Sequence, residues 1–215
     1  MITTDKNSSS TFKLAAAYTI GSHILPGYHL EQLSKQLNTN IKVTIKSCME
    51  IINGIKENRY DMGLIENPIF DNQLNYHNWI ENELVICSNV ELPPEVDGEF
   101  IKRCTLICRE PSSETRKFIN SLLAQIEIKQ SMFKSLKEIN NATAAIQSVK
   151  WSRPDRKHPT ITIISKFAIE EEVKQKRLFI SRFQNFPMKH YYYIVYPKKS
   201  NNISIINSLT NNLIK

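Results

Sequence analysis

The sequence predicts an α/β fold in two lobes. Three observations carry this. Short apolar strands alternate with amphipathic helices from Phe12 onward, strand and helix breakers interrupt the alternation near Glu91, and the same alternation restarts near Phe100. Parallel strands need a crossover, usually a helix, so a chain that alternates in this way builds sheets covered on both faces. With 215 residues the chain is long enough for one large domain or two smaller ones, each with its own core. Hydrophobic residues make up 41% of it, a globular composition rather than a disordered one.

The polar segment 1–10, with Asn7, Ser8, Ser9 and Ser10, reads as a flexible leader. Phe12 to Ala17 is a strand candidate, stopped by Thr19-Ile20-Gly21. A helix is expected from Pro26 to Leu37, with Leu30, Leu33 and Leu37 on one face. Pro26 suits the first turn, where its missing N–H is not needed. Ile41 to Lys46 alternates as a half-buried strand, and Glu50 to Asn58 is a short helix with Ile51, Ile52 and Ile55 as its apolar stripe. Asp61 to Ile65 is a strand that stops at Glu66-Asn67-Pro68, and Leu84 to Cys87 is another. Glu91-Leu92-Pro93-Pro94 and the turn signal Asp97-Gly98 then break the pattern.

The second unit repeats it. Its strands are expected at Thr105 to Cys108, Met132 to Leu136 and Thr160 to Ile164, and its helices at Glu114 to Ala124, Thr143 to Lys150 and Lys166 to Lys174. A loop from Trp151 to Pro159 separates two of them. After a turn at Asn185-Phe186-Pro187 come a β-prone strand, Tyr191 to Tyr196, and a closing helix, Ile203 to Leu213.

In open α/β sheets ligands bind beyond the carboxyl ends of the strands. Tyr18 and Thr19, Ser47 and Cys48, Glu66 and Asn67, and the run Glu110 to Thr115 all fall at such ends. Ser113 is a good N-cap, with Glu114 following it at the positive helix end. Two readings of that terminus stay open: an anion or polar ligand on its free N–H groups, or plain helix capping.

Several chemistries lack their sequence signatures. With five glycines there is no GxGxxG and no phosphate loop, and there is no GxSxG elbow. His23, His29, His77, His158 and His190 form no metal-spaced set, so no metal site, cofactor or catalytic set is expected. Glu170, Glu171 and Glu172 read as a solvated helix face pairing with Lys174 or Lys176. Cys48, Cys87, Cys104 and Cys108 contain no CxxC pair and read as buried reduced thiols, Cys104 and Cys108 sharing one strand. The net charge is +7, but Lys and Arg are scattered apart from clusters at Lys150 to Lys157 and Lys174 to Arg177. Neither cluster carries a helix-turn-helix pattern, and solvated faces are the favoured reading. No apolar run approaches membrane-spanning length and Met1 to Ser10 has no signal-peptide core, so the cytoplasm is the expected location.

From Phe12 to Leu213 the chain resembles the effector-binding domain of bacterial LysR-type transcription regulators. The resemblance rests on six segments in the right order: Leu14 to Pro26 with the family's opening strand and loop, Asp61 to Pro68 with "DLGLIEGP", Asn82 to Ile86 with "DELVLV", Arg109 to Arg116 with "REPGSGTR", Ile163 to Glu172 with the next strand and helix, and Tyr191 to Tyr196 with "FYLVY". It implies a periplasmic-binding-protein-like (type II) fold. Lobe I would take residues 11–89 plus 187–215 and lobe II residues 99–184, with 90–98 and 185–186 as hinge crossovers.

The resemblance also implies a small polar, possibly anionic, effector bound between the lobes. Tyr18, Thr19, Ser47, Cys48, Glu66, Asn67, Ser112, Ser113, Asn141, Thr143 and Ser165 would line that cleft. The partners implied are the effector, a second copy in an antiparallel dimer using the Pro26–Leu37 and Glu114–Ala124 helices, and DNA only through a winged helix-turn-helix domain absent from this chain. Glu114 stands where the family has a small glycine, and Tyr18 where a small hydroxyl residue is common. Three other classes compete, one of them a pure interaction module, which would show a closed or filled cleft. A transporter's solute receptor would share the fold but need export. An enzyme on the same scaffold would need a nucleophile or acid/base pair that the sequence does not offer.

Overall fold

The computed structural model describes residues 11–37, 39–199, 203 and 206. The expected leader 1–10 lies outside the described residues, as does the closing helix apart from Ile203 and Ile206. The chain divides into two compact units, Met1–Ile80 with Tyr192–Lys215, and Glu81–Tyr191.

In the first unit β1 (Phe12–Ala16) lies between β2 (Ile41–Ile45) and β3 (Met62–Ile65), parallel to both. Its small apolar side chains explain the central place: Leu14, Ala15 and Ala16 are fully buried. α1 (Tyr28–Leu37) and α2 (Cys48–Lys56) are the crossover helices. α2 buries Ile51, Ile52 and Ile55. Its approach to β3 requires the glycine at position 63. A Cβ there would lie 2.4 Å from Ile51 Cγ2 and 2.9 Å from Val195 Cγ1. On the other side of β3 runs β10 (Met188–Pro197), antiparallel, with Ile194 opposite Leu64.

The second unit is built on β4 (Leu74–Ser88), β6 (Thr105–Cys108), β7 (Ser135–Glu138), β8 (Thr160–Ser165) and β9 (Phe179–Phe183). β6 pairs in parallel with β7 and β8, while β4 is antiparallel to β8 and β9. A two-residue strand, β5 (Glu95–Val96), pairs with β9. The helices are α3 (Gly98–Ile101), α4 (Glu114–Ala124), α5 (Ala142–Lys150) and α6 (Glu170–Lys174). Neighbouring residues of a strand face opposite ways, and the core follows this rule. Leu106 joins a cluster with Phe100, Leu123, Phe133, Ile161 and Phe183, whereas Ile107 joins one with Val85, Ile146, Val149 and Leu178. Strands β4 and β10 each begin in one unit and end in the other.

Strand β6 and helix α4 match the sequence expectation residue for residue. The differences have physical causes. β4 has 15 residues rather than the Leu84–Cys87 core, because its first half alternates too weakly to read as a strand. There His77 stacks on Tyr196 at 5.5 Å and shares a 2.9 Å hydrogen bond with its hydroxyl. α2 starts at Cys48 rather than Glu50, because Ser47 caps it. α1 starts at Tyr28, after a π-helical turn at Ile20–Ile24. Cys104 precedes β6 rather than sharing it, its N–H donating to the Ile101 carbonyl after α3. β7 begins at Ser135 because Gln130–Met132 forms a 3₁₀ turn, and another at Lys166–Ile169 delays α6 to Glu170. β5 and β9 were not expected.

Candidate functional site

The expected site residues fall into two sets, one in each unit. In the first unit the parallel ladder runs to the last residues of β2, β1 and β3. The Lys46 N–H donates to the Ala16 carbonyl at 3.0 Å, and the Ala17 N–H donates to the Leu64 carbonyl at 2.8 Å. Tyr18, Ser47 and Glu66 follow directly, so all three lie at one sheet edge. The chain turns helical at Tyr18, which leaves early amide groups without intrahelical partners. The Thr19 N–H finds the Glu66 carboxylate at 2.8 Å, and both residues are buried. A negative charge at a helix start is also favoured by the helix dipole.

Ser47 caps α2 in a reciprocal box. The Glu50 N–H donates to Ser47 Oγ at 3.3 Å, and the Ser47 N–H donates to the Glu50 carboxylate at 3.1 Å. The Ser47 hydrogen bonds, side chain first, hold the Glu50 carboxyl below its ordinary value. Cys48 is buried in the first turn of α2, Asn67 is half-buried, and Tyr18 is exposed. Two exposed apolar side chains, Ile45 and Met49, occupy the same strand end. They were not singled out in the sequence, where Ile45 reads as a strand residue and Met49 as helix.

In the second unit the corresponding strand ends are those of β7, β6 and β8. Ser113 caps α4, its Oγ accepting the Arg116 N–H at 3.4 Å, and Ser112 beside it is exposed. Asn141 caps α5, its Oδ1 accepting the Ala144 N–H at 3.0 Å, and Thr143 is exposed. Ser165 is buried, and its hydroxyl donates to Asn82 Oδ1 at 2.6 Å. Asn82 is itself fully buried and lies 3.4 Å from His190 Nε2. Burial pushes the His190 imidazole down to about 4.

Arg116 holds this edge together. Its Nη1 donates to the Arg109 carbonyl at 2.7 Å and to Glu138 at 2.6 Å, and its Nη2 donates to Gln130 Oε1 at 2.6 Å. It thereby ties the first turn of α4 to the ends of β6 and β7. The sequence contained it only as the last letter of a motif.

The charges here are mostly spoken for. Lys46 pairs with Glu50 at 3.2 Å, Arg109 with Glu110 at 3.0 Å, and Glu114 with Lys117 at 2.8 Å, so Glu114 lies along its own helix. Among the described residues no cluster of three or more His, Cys, Asp or Glu side chains could hold a metal ion. A concavity of about 530 Å³ beside β5, lined by Pro93, Val96, Phe100, Arg103 and Gln184, contains none of the expected site residues.

A sequence model of the LysR substrate binding domain matches residues 5–213. The chain belongs to this family. HTH-type transcriptional regulator CysL of Bacillus subtilis (strain 168) is 28% identical over 199 residues, which cover 80% of this chain and 66% of CysL. HTH-type transcriptional regulator YeiE of Escherichia coli (strain K12) is 24% identical over 148 residues, covering 67% of this chain and 50% of YeiE. The chain thus spans about half to two thirds of the length of these curated relatives.

Among solved structures, the Synechocystis PCC6803 CcmR regulatory domain in complex with 2-PG superposes with a TM-score of 0.76 at 18% identity, covering 95% of both chains. The QuiR effector binding domain in complex with shikimate gives 0.75 at 16% identity, covering 96% of this chain and 98% of QuiR. The LysR substrate binding domain described here therefore has the periplasmic-binding-protein-like, type II α/β fold of its family. Family members are transcription regulators, and no described helix is long and apolar enough to cross a membrane.

Proposed function

We infer that this LysR substrate binding domain senses a small polar metabolite and so controls a DNA-binding domain carried elsewhere in the regulator. One observation carries the reading. Ser47, Ser113 and Asn141 each hold a helix N-terminus at the carboxyl end of a parallel strand, where N–H groups, hydroxyls and amides gather. Tyr18, Thr19, Cys48, Glu66 and Asn67 complete the set in one unit, and Ser112, Thr143 and Ser165 complete it in the other. The relatives support a polar effector, since CcmR was solved with 2-PG and QuiR with shikimate. An effector can signal only through unequal affinity for two states of the domain. The domain works by binding rather than by catalysis, as a dimer, in the cytoplasm.

The exposed members of the set give the cleanest test, because their replacement leaves the three caps intact. Calorimetry with a panel of phospho- and hydroxycarboxylates, including 2-PG and shikimate, is expected to yield a binder that Ser112→Trp with Thr143→Trp abolishes. Unchanged affinity in that double variant would place the site elsewhere.

A further inference from the structure

The two basic clusters of the sequence are far apart along the chain but form one surface in the second unit. The Glu172 carboxylate joins them, with its Oε1 3.1 Å from Lys150 Nζ and 3.3 Å from Arg177 Nη2. In the two segments so joined, Arg153, Arg156, Lys157, Lys176 and Arg177 are exposed. Arg156 reaches Glu91 only at 3.7 Å, and Arg153, Lys157 and Lys176 have no carboxylate partner among the described residues.

Trp151, the residue after Lys150 at the start of the loop to Pro159, has 77% of its surface exposed. An exposed indole offers a broad aromatic face on which a planar partner can stack. This one is fixed in place. Its Nε1–H donates to Gln147 Oε1 at 3.0 Å, and Lys150 Nζ lies 5.4 Å from the ring centroid. The loop that carries the cations is equally fixed. Asn89 Nδ2 donates to the Ser152 carbonyl at 2.7 Å, and Asp155 Oδ1 accepts the N–H groups of Lys157 and His158 at 2.8 and 3.0 Å. Pro154 and Pro159 stiffen it further.

We propose that this surface binds a nucleic-acid strand, with phosphates on the Arg153, Lys157, Lys176 and Arg177 cations and an unpaired base stacked on Trp151. Cations alone would suit any polyanion. A preorganised indole among them adds a platform for a base, which is how single strands are held without sequence preference. Within the second unit the surface is separate from the expected effector residues Ser112, Ser113, Asn141, Thr143 and Ser165, which follow or end β6, β7 and β8, whereas the Trp151–Pro159 loop precedes β8. Its test is therefore independent of the sensing function.

Fluorescence anisotropy of the whole chain would use three probes: a labelled single-stranded oligonucleotide, its duplex, and polyglutamate. The single strand is expected to bind tightest, with log K falling against log salt at a slope of about −2 to −3, the release expected from three or four phosphate contacts. Trp151→Ala should weaken the single strand about tenfold, bringing it level with the duplex, while leaving the salt slope alone. Arg153→Glu with Lys157→Glu should weaken both nucleic acids about tenfold or more and flatten the slope. Lys42→Glu, a charge change at an exposed position of β2, should do neither. All these side chains are exposed, so the thermal melts of the variants should match the parent. Salt-independent binding, equal binding by Trp151→Ala, or no binding at low salt would overturn the proposal. Polyglutamate binding as tightly as the strand would also overturn it, in favour of an acidic protein partner.

Discussion

Arg116 offers the sharpest check on how the second unit is held together. Its guanidinium is nearly buried and makes three charge-assisted hydrogen bonds, to the Arg109 carbonyl, Glu138 and Gln130. Arg116→Met keeps most of the packing volume and removes all three. The Glu138 side chain is 49% exposed, so water replaces much of what that carboxylate loses and its share is small. The Arg109 carbonyl and the Gln130 amide are less accessible, and each loses a charged donor. Together the loss is expected to cost about 2–3 kcal/mol. For a chain of this size that lowers the melting temperature by roughly 5–10 °C. Arg116→Lys should recover less than half, because an ammonium cannot serve three acceptors held in a planar fork. Differential scanning calorimetry gives the answer. If Arg116→Met melts within about 1 °C of the parent, the guanidinium is not the tie described here.

Two further expectations concern titrating groups. Burial holds the His190 imidazole down to about 4, so between that value and its ordinary 6.5 the unfolded chain binds a proton that the folded chain refuses. Its contribution is complete above about 6.5 and is lost as pH falls toward 4; urea midpoints should fall through that window, and His190→Asn should flatten the fall. Burial pushes the Cys87 and Cys104 thiols up to about 12, so both should resist thiol reagents at pH 8 in the native protein and react at once in denaturant. Rapid native labelling of either, located by mass spectrometry, would contradict their burial.

The elements legible in the sequence were those whose packing agrees with their local pattern. β6 is a short apolar run, and α4 opens on Ser113 followed by Glu114, so both ends of each are marked by residue type. β4 failed this test in its first half, where polar Asn75, Asn78 and Glu81 hide a strand that continues through tertiary pairing. Strand β9 contains Ser181 and Arg182, which look like loop residues. In the structure Ser181 is fully buried and donates to the Pro93 carbonyl at 2.7 Å, while Arg182 forks onto Glu83 at 2.5 and 2.9 Å. Such partners lie some ninety residues away and leave no local trace.

Of the candidate residues, Tyr18, Thr19, Ser47, Cys48, Glu66, Asn67, Ser112 and Ser113 were reached from strand ends, and Asn141, Thr143 and Ser165 only through the family resemblance. What they touch was reached by neither. The Glu66 carboxylate on the Thr19 amide, and the Ser165–Asn82 bond, join residues that no spacing rule connects.

The use of Ser47, Ser113 and Asn141 as helix caps bears on how such a domain can diverge. Each of these side chains already satisfies an amide of its own helix, so replacing one is expected to cost about 1 kcal/mol before any ligand is considered. A drift toward a new effector would meet that cost at every cap. Tyr18, Met49, Ser112 and Thr143 are exposed and make no cap bond, so they can vary without it. On the proposed reading of these residues as the effector site, specificity should therefore evolve first at those four positions while the caps stay fixed. A library randomised only there should retain folded members at a far higher rate than one randomised at the caps.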